Sequence, residues 1–303
     1  MQLIDVPTIE LADWREKVHL HHFTDIHMGE EGCDEKRLTK DIEQIQESTR
    51  RGEKHIWLIG GDSICGIGPR DPRHDNTSIA ERFQKYAGKD LFRRQVIAVA
   101  RAFEPIREHG ILVGAGNHEN SASKHGEYDP AADLAEKLNL PYAGYSAGFR
   151  LKLDPQNNNT SAAVLGYWHH GWGGGRTKGA KANLGMKLRD IINVDLYFTG
   201  HVHEPVLIPE EELSLPRRGK LRLKAREKLI VVGATYLKSH PTIQEPQVDG
   251  KYDTERDVKY DYAERSGFKP TVIGHVGCTL QMARTGGKKN ERWGVKLRAQ
   301  DFR

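Results

Sequence analysis

Five short apolar runs recur along the first two-thirds of the chain, and each breaks into a residue with a metal-binding or acid-base side chain. VHLHHFT leads into Asp25-Ile26-His27, HIWLIGG into Asp62, and ILVGAG into Asn117-His118-Glu119. AAVLGYW leads into His169-His170, and DLYFTG into His201-Val202-His203. Apolar runs of this length bounded by glycine predict buried strands. Between the first three runs the period changes to that of a helix. Leu38, Ile42 and Ile45 share a face behind the N-cap candidate Asp34, with closure near Gly52, and Phe92, Val96, Val99 and Phe103 form a stripe across residues 89–108. Asp129-Pro130 opens a short helix, Ala131 to Leu138, in cap-then-proline order. The resulting β-α-β-α-β-α order predicts a layered α/β core.

After Pro141 strands dominate. GFRLKLDP and AAVLGYW flank the turn QNNNT, a helix spans about Ala180 to Ile191, and PVLIP, KLRLKAREKLIVVGATYL and TVIGHVGCTLQMA read as hairpins of a second sheet. The polar segment from Lys238 to Gly267 reads as a surface loop. The expected architecture is α/β, two facing mixed sheets flanked by helices, in a single domain over 1–303. Within it lie an N-terminal arm (1–15), a motif-bearing core (16–205) and second-sheet strands with a loop (206–303).

Composition narrows the class without choosing a function. The chain has 303 residues with 37% hydrophobic and 29% charged positions, enough for a sizeable core. No apolar run approaches the roughly 20 residues of a membrane helix, and the N-terminus reads as no secretory signal. Three widely spaced cysteines form no disulfide framework, which leads to the expectation of a reducing cytoplasm and no membrane partner. A net charge of +4 permits a phosphorylated or nucleic-acid partner and does not require one. Nothing in the chain addresses oligomeric state.

The polar residues at the strand ends carry the chemistry. Hydrolysing a phosphoester near neutral pH requires a strong nucleophile and neutralised phosphoryl charge. Two divalent ions about 3.5–4 Å apart supply both, because a hydroxide held between them is a ready nucleophile. Asp25 and His27 can turn to one ion, Asp62 is the natural bridging carboxylate, and Asn117 offers a neutral oxygen. His201 and His203 flank one residue, so in extended backbone both would project to one side. A lone pair of this kind is more often a surface or core feature. The ordered set converging on one site is another matter.

That ordered set, D-x-H, G-D, G-N-H-E, H-H and G-H-x-H, resembles the calcineurin-like metallophosphoesterase superfamily over residues 25–203. The resemblance implies one ion held by Asp25, His27, Asp62 and His203, and another held by Asp62, Asn117, His201 and one histidine of the His169-His170 pair. His170 is preferred because Gly171 follows it, and the choice between the two stays open. His118 resembles the histidine that donates a proton to the leaving oxygen or grips the phosphate, with Asp25 as its orienting partner. Cys65 stands where purple acid phosphatases carry an iron-binding tyrosine; a thiolate there would favour Zn or Fe, and a small buried cysteine is the plainer reading. The N/O donor set otherwise suits Mn first, with Fe or Zn as alternatives.

Two further stretches bear on the substrate. The loop GWGGGRTKGAKAN after His170 fails the P-loop pattern, yet places Arg176, Lys178 and Lys181 just beyond a ligand position. Arg176 is the candidate phosphate grip, against the alternative of a solvated loop. This loop gives a looser resemblance to DNA-repair-like phosphoesterases of phage and bacteria. Lys220, Arg222, Lys224 and Arg226 alternate along one strand, either as a nucleic-acid track or, better, as a solvated sheet face. Trp172, Tyr142 and Tyr145 stand near the motifs and fit base stacking and packing equally. The expected activity is a dinuclear phosphoesterase acting on a phosphodiester in a nucleotide or nucleic acid. The alternatives are a phosphomonoesterase acting on protein or small molecules, and a catalytically silent metal-binding scaffold.

Overall fold

The computed structural model describes residues 1–74, 78–126, 128–156, 160–215, 223–239, 269–270, 272–285 and 292–302. Strands β1 (Gln2–Asp5) and β2 (Ile9–Leu11) precede β3 (Lys17–Phe23), α1 (Glu35–Arg50) and β4 (Lys54–Gly60). A single turn, α2 (Glu81–Gln84), and α3 (Leu91–Phe103) lead to β5 (Gly110–Gly114), α4 (Asn117–Gly126) and α5 (Pro130–Leu138). Then come β6 (Tyr142–Gly144), β7 (Ser146–Pro155), β8 (Ala162–His169), α6 (Lys178–Lys187) and β9 (Leu196–Thr199). The last described strands are β10 (Val206–Ser214), β11 (Lys224–Val232), β12 (Val276–Thr285) and β13 (Arg292–Asp301). The expected surface loop from Lys238 to Gly267, like Lys220 and Arg222, lies almost wholly outside the described residues.

The chain forms two mixed sheets flanked by helices, an α/β sandwich. Among the described residues one sheet has the order β13-β12-β3-β4-β5-β6, and the other β1-β7-β8-β9-β11-β10 with β2 also on β7. Leu20, Leu58 and Leu112 from the first sheet and Leu151, Val164 and Phe198 from the second share the core between them. The opposite face of the first sheet, with Phe23, Trp57 and Ile59, packs on Leu38, Ile42, Val96, Val99 and Leu134 of α1, α3 and α5. Period-2 alternation in the strands and 3.6-residue stripes in the helices thus point to the same layers.

Local signals landed where physical chemistry puts them. Asp34 accepts from the Arg37 amide at the start of α1, and Asp129 accepts from the Ala131 and Ala132 amides at the start of α5. The helix expected to run to Glu108 leaves α-geometry after Phe103 and continues as a 3-10 turn, Glu104–His109, where Pro105 has no amide to donate. Strand partnering departs from expectation in two respects. The N-terminal arm adds two short strands parallel to β7, and β12 does not join the second sheet but pairs antiparallel with β3. The five motif-bearing strands therefore split, with β3, β4 and β5 in one sheet and β8 and β9 in the other. The site is assembled across the facing rims of two sheets rather than along one.

A chain of buried histidines runs behind the first sheet. Asp41, fixed by Arg37 (2.6 Å) and the Tyr236 hydroxyl (2.7 Å), accepts from His275 Nδ1 at 3.2 Å. An ionised carboxylate only accepts, so each next contact has a set direction. With one proton on each ring, His21 Nδ1 donates to His275 Nε2 (2.9 Å) and His55 Nδ1 donates to His21 Nε2 (2.9 Å), while His55 Nε2 lies 2.9 Å from the Ser48 hydroxyl, which also meets the Glu53 carboxylate.

Burial pulls the pKa of His21 and His275 below the usual histidine value and that of His55 down to about 4. Each of these rings is neutral when folded and gains a proton more readily when unfolded. Their contribution is complete above the unfolded value near 6.5 and is lost as pH falls toward 4, by roughly 2 kcal/mol for a fully buried ring. Thermal unfolding of metal-free protein between pH 6 and 4.5 should show the midpoint falling by several degrees; a flat profile would contradict the neutral chain.

Candidate metal centre

Side chains from the ends of β3, β4, β5, β8 and β9 meet at one point. Three groups of them are able to hold a metal ion, their donor atoms lying within 4.8 Å of one another: Asp25, His27 and His203; His27, Asp62 and His118; and Asp62, His170 and His201. Asp25, His27, Asp62 and His170 are buried. Asn117 closes the third group, its Oδ1 lying 2.8 Å from His201 Nδ1 and 3.2 Å from His170 Nε2. In the first group His203 Nε2 stands 3.1 Å from Asp25 Oδ1 and 3.2 Å from His27 Nε2.

Backbone conformation marks the same residues. Among the described residues, non-glycine positions with positive φ are Asp25 (52°), His27 (54°), Asp62 (49°), His201 (71°), His203 (53°) and Asn139 (53°). Asn139 ends helix α5 in the left-handed cap geometry. The other five are all expected metal ligands. A left-handed histidine or aspartate costs on the order of 1–3 kcal/mol and persists where the surroundings impose it, which is the signature of a functional cradle. This also corrects the expectation for His201 and His203. Neither is extended, and the turn at Val202 sends His201 toward Asn117 and His203 toward Asp25, into different groups.

The donor set fits divalent cations. His170 Nδ1 donates to the Gly60 carbonyl at 2.7 Å, and His201 Nε2 donates to the Gly173 carbonyl at 2.7 Å. In each ring the other nitrogen faces the cluster and, once it sheds any proton it carries, offers a lone pair to a cation, the arrangement metal-ligating histidines adopt. Facing carboxylates favour the charged form of two of the cluster's rings. Burial disfavours charge on His170, but the Asp62 carboxylate at 3.1 Å lifts its pKa to about 10, and Asp25 likewise raises His203 against burial. Burial and neighbouring imidazoles keep His27 well below the usual value, and burial followed by His170 lowers His201.

Of the His169-His170 pair, the structure brings His170 into the cluster. His169 Nδ1 instead accepts from the Gly171 amide, and its ring packs edge-on against Trp172. His118 lies at the cluster edge, its ring edge-to-face with His27 at 4.5 Å. Its orienting partner is not Asp25, as the sequence suggested, but the Cys65 carbonyl, which accepts from Nδ1. Asp25 is already engaged: Thr24 Oγ1 donates to it at 2.7 Å and the His201 amide at 2.9 Å. Cys65 belongs to none of the three groups, and burial holds its thiol protonated, so the plain packing reading stands.

Arg176 is exposed in the loop between β8 and α6 and makes no ion pair among the described residues. Lys181 is committed to Glu204 at 2.8 Å, and Arg226 to Asp195 at 2.9 Å, which removes both from any phosphate track.

Glu119 is the residue whose role the sequence reading left blank. Fully buried, its carboxylate accepts from the amides of Asp62 (2.9 Å), Ser63 (2.7 Å) and Gly116 (2.8 Å) and from the Ser63 hydroxyl (2.7 Å). It ties the β4 and β5 ends together and so aims Asp62 and Asn117. Gly116 is glycine for the same reason, because a Cβ there would fall 2.1 Å from Asp62 Oδ1. A signal existed: a carboxylate inside G-N-H-E, too near the ligands to be a solvated charge. Glu119→Gln would set an amide NH₂ against four donors. We expect a loss of about 3 kcal/mol in urea unfolding and weaker metal retention; wild-type stability and metal content together would remove this role.

No family model matches the sequence, and no curated protein matches it. Among solved structures the chain is similar to the sulfate thiohydrolase SoxB of Thermus thermophilus, determined in complex with glycerol. The TM-score is 0.38 and the identity 11%, over 94% of this chain and 56% of that one. The chain spans little more than half the length of that protein.

Proposed function

We propose that this chain is a dinuclear metal-dependent phosphoesterase of the calcineurin-like type, acting on a phosphodiester. The observation that carries it is the set of five strained ligand positions converging with Asn117, in which Asp62 belongs to two of the three donor groups. In this reading Asp25, His27, Asp62 and His203 hold one ion, and Asp62, Asn117, His170 and His201 the other. When bound, the ions would lower the pKa of a water nucleophile and neutralise charge on the phosphoryl oxygens. Mn suits this mixed carboxylate, amide and imidazole set, with Fe and Zn next.

The chain's own residues then do the rest. Asp62 is oriented by Glu119 through its own backbone amide and by the His118 amide, which donates to Asp62 Oδ1 at 2.9 Å. His118, with Nδ1 held by the Cys65 carbonyl, presents Nε2 as the group that delivers a proton to the leaving oxygen. The loop pinned by His201 to Gly173 carries Arg176 three residues on, and in this reading its guanidinium would grip a non-bridging phosphate oxygen. The leaning toward a phosphodiester over a monoester rests on Arg176 and the net positive charge.

Turnover of bis-p-nitrophenyl phosphate against p-nitrophenyl phosphate, with Mn added, tests the reading. A preference of tenfold or more for the diester supports it. A preference for the monoester makes the protein a phosphomonoesterase, and no turnover with metal bound makes it a scaffold.

A further inference from the structure

The far end of the first sheet carries a second polar concavity, on the helix-bearing face where β12 and β13 extend beyond β3. Strand register builds it. Gln281 of β12 lies opposite Lys17 of β3 and Lys296 of β13; two residues on, Thr279 lies opposite His19 and Arg298. The intervening positions, Val18, Leu20, Cys278, Leu280, Val295 and Leu297, face the core between the sheets, so the polar rows face outward together. Together with Gln300 they line a cavity of about 220 Å³.

Its interior is ordered and its charge unanswered. Gln300 Oε1 accepts from the Thr279 hydroxyl and, at 3.3 Å, from His19 Nδ1, which turns the Gln300 amide N–H pair away from those contacts. Lys17, Lys296 and Arg298 are exposed and have no ion-pair partner among the described residues. A carboxylate does stand at the rim, where Glu53 lies 3.8 Å from His19 Nε2. Lys296 and Arg298 are side by side on one strand face, an arrangement that costs energy through like-charge repulsion unless an anion is shared.

We propose that this concavity is an anion site that takes the phosphate or diphosphate group of a small molecule. Its volume is enough for one or two phosphoryl groups. Arg298 offers a planar fork for two phosphate oxygens, while the lysines act as point charges. It is a different place from the metal centre: Lys17 and Asp25 sit at opposite ends of β3, about 25 Å apart at 3.3 Å per residue.

Inorganic pyrophosphate titrated by calorimetry into the metal-loaded protein, wild type against Lys296→Gln/Arg298→Gln, tests this. Wild type should bind one more equivalent than the variant, and that extra event should weaken about tenfold or more between 50 and 500 mM salt. Chemical-shift changes on β12 and β13 should accompany it, and both proteins should have the same thermal midpoint and metal content. Equal stoichiometry in the two proteins would overturn the proposal. So would a 20-nucleotide single strand binding to the same strands more tightly than pyrophosphate, since that would make the face a nucleic-acid surface. Neither outcome touches the phosphoesterase reading, which turnover at the metal centre reports separately.

Discussion

Asp62→Asn should remove at least half of the bound metal and lower diester turnover by a factor of 10³ or more. The reason is position as much as charge. Asp62 appears in two of the three donor groups, so its loss weakens both halves of the centre at once. It is also the carboxylate that holds charge on His170, one of its oxygens standing 3.1 Å from Nε2. An amide retains shape and one oxygen donor but supplies no negative charge, and a site that collects two dications cannot spare it. Metal analysis beside turnover checks this. Full metal content with near-normal turnover would show that Asp62 does not bridge.

His118→Ala should behave in the opposite sense. The variant should keep its metal and lose turnover by about 10²–10⁴, the range for removing a positioned proton donor. His118 belongs to one donor group with His27 and Asp62, so a ligand role is geometrically open to it. Against that role stands its partial exposure, while the Cys65 carbonyl, which accepts from Nδ1, leaves Nε2 free for either role. Two readouts separate the roles. If His118 delivers a proton, the defect should shrink with a substrate whose leaving group needs none, such as a p-nitrophenolate ester, relative to an alkyl ester. If metal content falls with turnover, His118 is a ligand and the proton comes from elsewhere.

Much of this arrangement was legible in the sequence. The layered α/β core followed from helix and strand periods, and the caps at Asp34 and Asp129 from their side chains. The residues of the three donor groups could be picked out because each lies within a few residues of the end of a buried strand, several of them beside a glycine, a local signal. What was not legible is long-range or conformational. Nothing local tells β12 to pair with β3, because strand partners are chosen by the whole core. The left-handed backbone at His201 and His203 inverts the side-to-side logic that an extended strand would impose. The partner of His118 is a backbone carbonyl from another loop, and no side-chain pattern encodes one. The histidine chain from Asp41 to Ser48 joins residues up to 254 positions apart and has the same origin.

The measurement that bears most directly on the whole account is anomalous diffraction from crystals grown with excess manganese. Two peaks roughly 3.5–4 Å apart, with Asp62 between them and His170 and His203 on opposite sides, are the expected result. A single peak, or none beside Asp62, would contradict a two-ion centre and the phosphoesterase chemistry built on it.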